Sequence, residues 1–226
     1  MGYNWILFDA DGTLFDYDTA ESAALRKSFE QSGHAYDMSY NNIYRQINAE
    51  LWRAFEQGLV TQDDLRIRRF EELLTAIGSD ADARRFSNFY LNNLSQQSIL
   101  IDGAETLLKK LSRRCRFVII TNGLKQVQRP RFKYSSIAPL LTDIVISEEV
   151  GCAKPDPAIF DIAFEKMNHP SKRDVLMVGD SLSSDIQGGS NYGLDTCWYN
   201  PDRKTQDLDV IITYEITVLN ELSRIV

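Results

Sequence analysis

The stretch Trp5-Ile6-Leu7-Phe8-Asp9-Ala10-Asp11-Gly12-Thr13-Leu14-Phe15 decides how this 226-residue chain folds: an apolar run ends abruptly in two carboxylates, a glycine and a hydroxyl. Four large apolar residues in a row leave no face for water, which predicts a strand buried on both sides. Asp9 and Asp11 then stand at its C-terminal end. If the strand continues through them, side-chain alternation sends both carboxylates to one side, past the small Ala10, before Gly12 lets the backbone turn. Two carboxylates facing one way make a divalent-cation site with a spare nucleophile. Taken alone, the stretch fits a polar turn after a core strand equally well, since Asp and Gly are common turn formers. An EF-hand loop is excluded, because Thr13, Leu14 and Ala20 stand where it needs Asp or Asn, Gly and Glu.

Beyond this strand, residues 17–97 carry helix signals only. Thr19 to Phe29 runs helically toward Gly33, and Ile43, Ile47, Leu51 and Phe55 repeat at a four-residue spacing before Gly58. Thr61 and Asp64 form a capping-box pattern that opens a helix through Leu65, Leu73, Leu74 and Ile77. Phe86, Phe89, Tyr90 and Leu94 mark a fourth helix. Each has one apolar face, so the four are expected to pack as a small bundle inserted into a core formed by residues 1–16 and 98–226.

In the remainder, helices and strands alternate. Strands are expected at Phe117–Ile120, Ile144–Ile146, Val175–Val178, Thr196–Trp198 and a last β-branched run over 210–213, with a short helix after it. This order predicts an α/β fold, a Rossmann-like parallel sheet with helices on both faces. Such sheets bind ligands at the C-terminal ends of their strands. There the sequence supplies Asp9 and Asp11; then Thr121-Asn122-Gly123, a hydroxyl followed by backbone N–H groups at a helix start; then Gly179-Asp180 with Asp185 beyond. Lys154 precedes a stiff turn, Pro155-Asp156-Pro157, whose second proline starts a helix. Four acids crowded without compensation would repel by on the order of several kcal/mol at low dielectric. A bound Mg²⁺ together with Lys154 removes that repulsion, and magnesium suits hard oxygen donors open to a phosphate.

Composition narrows the function classes. Lys and Arg number 25 against 32 Asp and Glu, a net charge of −7, which argues against general binding of nucleic-acid polymers or anionic membranes. The three cysteines, Cys115, Cys152 and Cys197, form no C-x-x-C pair, and a reducing cytoplasm is the expected compartment. No signal peptide fits, because the N-terminus enters a strand at once, and no apolar run is long enough to span a bilayer.

Taken together, Asp-x-Asp-Gly-Thr after the first strand, Thr121 after the second, Lys154-Pro155, and Gly-Asp-x-x-x-x-Asp ending at Asp185 resemble the four ordered motifs of the haloacid dehalogenase (HAD) superfamily, over nearly the whole chain. The helical insert is similar to the family's small cap. The resemblance implies a covalent phosphatase route in which Asp9 attacks phosphorus and Asp11 serves as general acid and base. It implies Mg²⁺ held by the Asp9 side chain, the Asp11 backbone carbonyl and Asp180, with Asp185 in support. Thr121 and the Asn122 N–H would bind the phosphoryl oxygens and Lys154 would neutralise charge. Members that cleave carbon–halogen bonds lack an acid at the Asp11 position, which favours phosphoryl chemistry. Residues 146–155, 175–180 and 196–198 look most like the pyrimidine 5′-nucleotidase branch, whose substrates are small phosphorylated metabolites, the nucleoside monophosphates. The alternatives are a phosphatase of a sugar phosphate or phosphoglycolate, a phosphomutase, and a non-catalytic binding protein.

Three further expectations concern the cap aromatics, the two histidines and the helix after Thr121. Tyr17, Tyr36, Tyr40, Tyr44 and Trp52 are read first as bundle core and second as base-stacking groups. His34 and His169 are read as loop residues without a catalytic role. Pro130, within Gln128-Arg129-Pro130-Arg131, is expected to kink or shorten its helix.

Overall fold

Strand β1 (Trp5–Phe8) lies inside a six-stranded sheet of order β3-β2-β1-β4-β5-β6, with β2 at Arg116–Thr121, β3 at Leu141–Ile146, β4 at Val175–Gly179, β5 at Asp195–Tyr199 and β6 at Tyr214–Ile216. Every pairing is parallel. The structure, a computed structural model, describes residues 2–206 and 208–226. Alternation along β1 explains its unbroken apolar run: Ile6 and Phe8 join one core layer, Trp5 and Leu7 the other. On the first face sits α5 (Ala104–Leu111) through Leu107, Leu108 and Leu111; on the second sits α7 (Pro157–Lys166) through Ile159, Phe160 and Phe164. Each such fully buried side chain stabilises the fold by about 1.5–3 kcal/mol. Phe8 is in register with Ile119 on one side and Val178 on the other. Asp9, Thr121 and Asp180 therefore leave the sheet along one edge.

Four helices occupy the stretch between β1 and α5: α1 (Tyr17–Ser32), α2 (Ser39–Glu56), α3 (Gln62–Ala76) and α4 (Ala83–Ser95). Their ends follow local chemistry. The Asp16 side chain accepts from the Thr19 N–H, Thr61 and Asp64 complete their capping box, Asp82 accepts from the Arg85 N–H, and Gly33 closes α1 in the left-handed region. Phe29, Tyr44, Phe70, Phe86 and Tyr90 form the shared interior, which Val127 of α6 (Lys125–Tyr134) and Leu124 just before it extend toward the sheet. The chain enters and leaves this helical layer side by side: the Asp16 N–H donates to the Ile99 carbonyl at 3.0 Å and the Ile101 N–H to the Leu14 carbonyl at 2.9 Å. No described helix is long and apolar enough to cross a membrane.

Two expectations need correction. Helix α6 runs unbroken through Pro130. Apolar anchors on both sides, Val127 and Phe132, and polar anchors from Gln128 and Arg131 outweigh the missing amide. The β-branched run 210–213 precedes the last strand instead of forming it. Its polar groups are taken by Thr196, whose hydroxyl donates to the Ile211 carbonyl at 3.2 Å and whose N–H donates to Thr213 Oγ1 at 3.1 Å, so pairing with β5 begins at Tyr214. The final short helix, Leu219–Arg224, is of the 3₁₀ type.

Candidate active site

The residue that organises the sheet edge is Lys154, 1% exposed. Its ammonium donates to Asp9 Oδ1 at 2.5 Å, to Asp185 Oδ1 at 2.6 Å and to the Ile120 carbonyl at 2.6 Å, so all three donors are used. Its backbone is fixed as firmly: Lys154 N–H donates to Asn122 Oδ1 at 2.7 Å and Asn122 Nδ2 donates to the Lys154 carbonyl at 2.8 Å. This pair of hydrogen bonds places the lysine loop against the end of β2. Burial would lower the ammonium's pKa, but Asp185 and Asp9 hold it above the ordinary lysine value.

Asp180 follows β4 and accepts from the Thr13 hydroxyl at 3.0 Å. A turn of π-helix, Leu182–Ile186, folds Asp185 back so that its Oδ2 accepts the Ser181 N–H at 3.0 Å while Oδ1 meets Lys154. Two glycines make this crowding possible. At Gly12, with φ +82°, a Cβ would lie 2.6 Å from Asp180 Oδ2; at Gly179 it would lie 2.2 Å from Asp185 Oδ2. One carboxylate oxygen from each of Asp9, Asp180 and Asp185 lies within 4.8 Å of the other two. Burial pushes the Asp180 carboxyl up to about 7, with Asp185's charge adding to it, and burial raises Asp9 well above the usual range against the pull of Lys154. Three hard-oxygen donors bearing more negative charge than one lysine neutralises form a donor set that fits a small divalent cation.

Asp11 stands apart from this triad. The strand ends at Phe8, so the alternation that would have aligned Asp9 with Asp11 does not reach them. The Asp11 carboxylate instead turns toward α6, where Gln128 Nε2 donates to its Oδ2 at 2.6 Å and Arg131 Nη1 pairs with its Oδ1. The carboxylates that cluster are thus those of Asp9, Asp180 and Asp185, and the Asp11 side chain is not among them.

Asp9, Asp11, Thr121, Asn122, Lys154, Asp180 and Asp185 all line one cavity of about 280 Å³. Thr121 is buried, and its Oγ1 accepts the Gly123 N–H at 3.1 Å, which leaves the hydroxyl proton free to donate. From the helical layer, Tyr17, Asn48, Trp52 and Glu56 complete the wall. The last three sit four residues apart along α2, a polar and aromatic stripe visible in the sequence beside the Ile43, Ile47, Leu51, Phe55 stripe, yet not singled out there. Of the five aromatics, Tyr44 is core, Tyr36 and Tyr40 pack against that core, and Tyr17 and Trp52 reach the cavity. His34 and His169 lie in loops, as expected. Gln128 and Arg131, which contact Asp11, were not singled out in the sequence, where Pro130 between them was expected to kink or shorten the helix.

Comparison with known proteins places this geometry in context. The family model described as haloacid dehalogenase-like hydrolase matches residues 3–193. A HAD-hydrolase of Bacillus subtilis, YfnB, is 40% identical over 99% of this chain and 95% of its own length. The pyrimidine 5′-nucleotidases PynA of Streptococcus pneumoniae and YjjG of Escherichia coli are 34% and 33% identical, covering 98% and 100% of this chain and 94% and 98% of theirs. The crystal structure of YfnB bound to magnesium superposes with a TM-score of 0.95 at 40% identity, over 100% of this chain and 99% of that one.

Proposed function

Since the chain belongs to the haloacid dehalogenase-like hydrolases, we propose that it is a Mg²⁺-dependent phosphomonoesterase acting on nucleoside 5′-monophosphates, pyrimidine ones foremost, with residues 17–97 as its cap and 1–16 plus 98–226 as its core. The observation that carries the chemistry is the buried Lys154 bridge between Asp9 and Asp185 beside Asp180. The relatives named pyrimidine 5′-nucleotidases support the substrate class, and the Trp52 ring on the cavity wall suits a base. The same cavity shares Glu56, Asp180 and Ser181 with a wider cleft of about 650 Å³, which gives a nucleoside room. The three cysteines, all free thiols, fit a reducing cytoplasm.

In this reading an Asp9 carboxylate oxygen attacks phosphorus as the bond to the leaving oxygen breaks, giving an aspartyl-phosphate. Lys154 fixes the nucleophile's orientation and offsets its charge, while Thr121 Oγ1 and the Asn122 backbone N–H bind phosphoryl oxygens. Asp11 delivers a proton to the leaving oxygen, then takes one from the water that hydrolyses the acyl phosphate. Asp9 and Asp180, the Asp11 carbonyl and, in support, Asp185 would hold Mg²⁺, whose charge draws electron density from the phosphoryl group. Phosphate release measured with Mg²⁺ and with EDTA, across nucleoside 5′-monophosphates, sugar phosphates and phosphoglycolate, tests the assignment. Metal-dependent release fastest on pyrimidine monophosphates is expected, and an Asp9→Asn variant should lose it. Preference for a sugar phosphate would overturn the substrate class, and wild-type rates in Asp9→Asn would overturn the chemistry.

A further inference from the structure

Gln128 and Arg131 are 1% and 0% exposed, three residues apart on one face of α6, and each gives the Asp11 carboxylate a donor on a different oxygen. A carboxylate has about four acceptor sites. One donor on each oxygen fixes the group's plane and leaves a site on each oxygen to carry or accept a proton. The side chain of Asp11 remains 26% exposed and faces the cavity that holds Asp9 and Thr121.

Arg131 is itself held on three sides. Its Nε donates to the Gln97 carbonyl at 2.7 Å, on the segment that returns the chain from the helical layer, and its guanidinium carbon stands 4.4 Å from the Phe15 ring centroid. Room for Gln128 comes from Gly123, where a Cβ would fall 2.4 Å from Gln128 Nε2. Burying a guanidinium carries a desolvation cost that its ion pair only partly offsets, and an apolar side chain packed on the Phe15 ring would avoid that cost altogether. Fold stability does not account for an arginine here. Holding a carboxyl group at one angle does.

We infer that Gln128 and Arg131 are positioning residues that aim the Asp11 carboxyl at the leaving oxygen. The inference rests on Asp11 being the general acid of the proposed phosphatase. Its signature is a dependence on the leaving group: a nucleoside 5′-oxygen is a strongly basic alkoxide that needs a proton as it departs, whereas p-nitrophenolate departs without one. The quantity to compare is kcat/KM, which covers events up to departure of the leaving group and excludes the later hydrolysis common to both substrates.

The experiment uses the full chain with Mg²⁺ and measures kcat/KM on UMP and on p-nitrophenyl phosphate for wild type, Asp11→Asn, Gln128→Ala, Arg131→Met and Arg131→Lys, with thermal melts of each. A positioned acid contributes about 10²–10⁴-fold. The p-nitrophenyl phosphate to UMP ratio should rise by at least about tenfold in Gln128→Ala and more in Arg131→Met, and Arg131→Lys should recover part of the loss. If Arg131→Met does not fold, Gln128→Ala and Arg131→Lys decide the matter. An unchanged ratio in both, while Asp11→Asn raises it, overturns the positioning role and leaves the acid assignment standing. An Asp11→Asn variant that loses both substrates equally overturns the acid assignment itself.

Discussion

Two buried cations, Lys154 at the sheet edge and Arg69 within the helical layer, are equally hidden from water, 1% and 2% exposed, and are treated in opposite ways. Lys154 spends every donor, two of them on carboxylates. Arg69 donates once, from Nη1 to Asn48 Oδ1 at 3.2 Å, rests against the Phe70 and Tyr90 rings at 5.0 and 5.3 Å, and has no partner for Nε and Nη2 among the described residues. The first cation is the sole side-chain counter-charge bonded to Asp9 and Asp185 among the described residues, so removing it strands buried anions. The second is charge carried mainly by aromatic faces, so a neutral side chain of similar length can stand in its place.

The largest effect is expected from Lys154→Met. Its kcat/KM on a nucleoside monophosphate should fall by at least about 10³-fold, the scale of losing a preorganised charge at the reacting group. Stability in denaturant melts with EDTA present should fall by about 3–5 kcal/mol, because Asp9 and Asp185 are left buried without their cation. Arg69→Met should stay within about 1 kcal/mol of wild type, or gain, with kcat/KM within a few-fold. A folded Arg69→Met protein with Lys154→Met-like losses would break the comparison and make Arg69 part of the site.

The smallest effect sharpens the same contrast through Glu21, a buried acid of the helical layer paired with Arg45 at 3.0 Å. Burial pushes its carboxyl up to about 7 from an ordinary 4.5, against the pull of Arg45. A raised carboxyl pKa favours the protonated form in the folded state. Its stabilising contribution is therefore present below about 4.5 and is lost as pH rises through about 7. The Tm of wild type minus that of Glu21→Gln should accordingly decline between about pH 5 and pH 8. A flat difference across that window would mean that Glu21 keeps its ordinary acidity.

The same division governs what could be read in advance. Residues at strand ends were legible because a parallel sheet forces them to one edge, so Asp9, Thr121 and Asp180 could be gathered without coordinates; Lys154, in the connection between β3 and β4, joined them through its place in the ordered motifs. The α1–α4 helices were legible from caps and glycines, down to the Thr61 and Asp64 pair. Contacts made by one helix face across space were not. Gln128 and Arg131 carried no local signal except a proline that pointed the other way, and Trp52 was one aromatic among several until packing separated it from Tyr44. The 210–213 run misled for a related reason: its β-branched composition suits a strand, but Thr196 side-chain bonds hold it short of the ladder.

The adjoining passages that carry the chain out of the sheet at Leu14–Asp16 and back at 99–101 bear on how such a protein can change over evolution. An insertion whose two ends meet can be lengthened, shortened or exchanged without altering the order or register of a single strand. On the proposed assignment, substrate choice and reaction chemistry would then be separately heritable: a lineage could trade its leaving-group surface many times while the carboxylates and the lysine stay where they are.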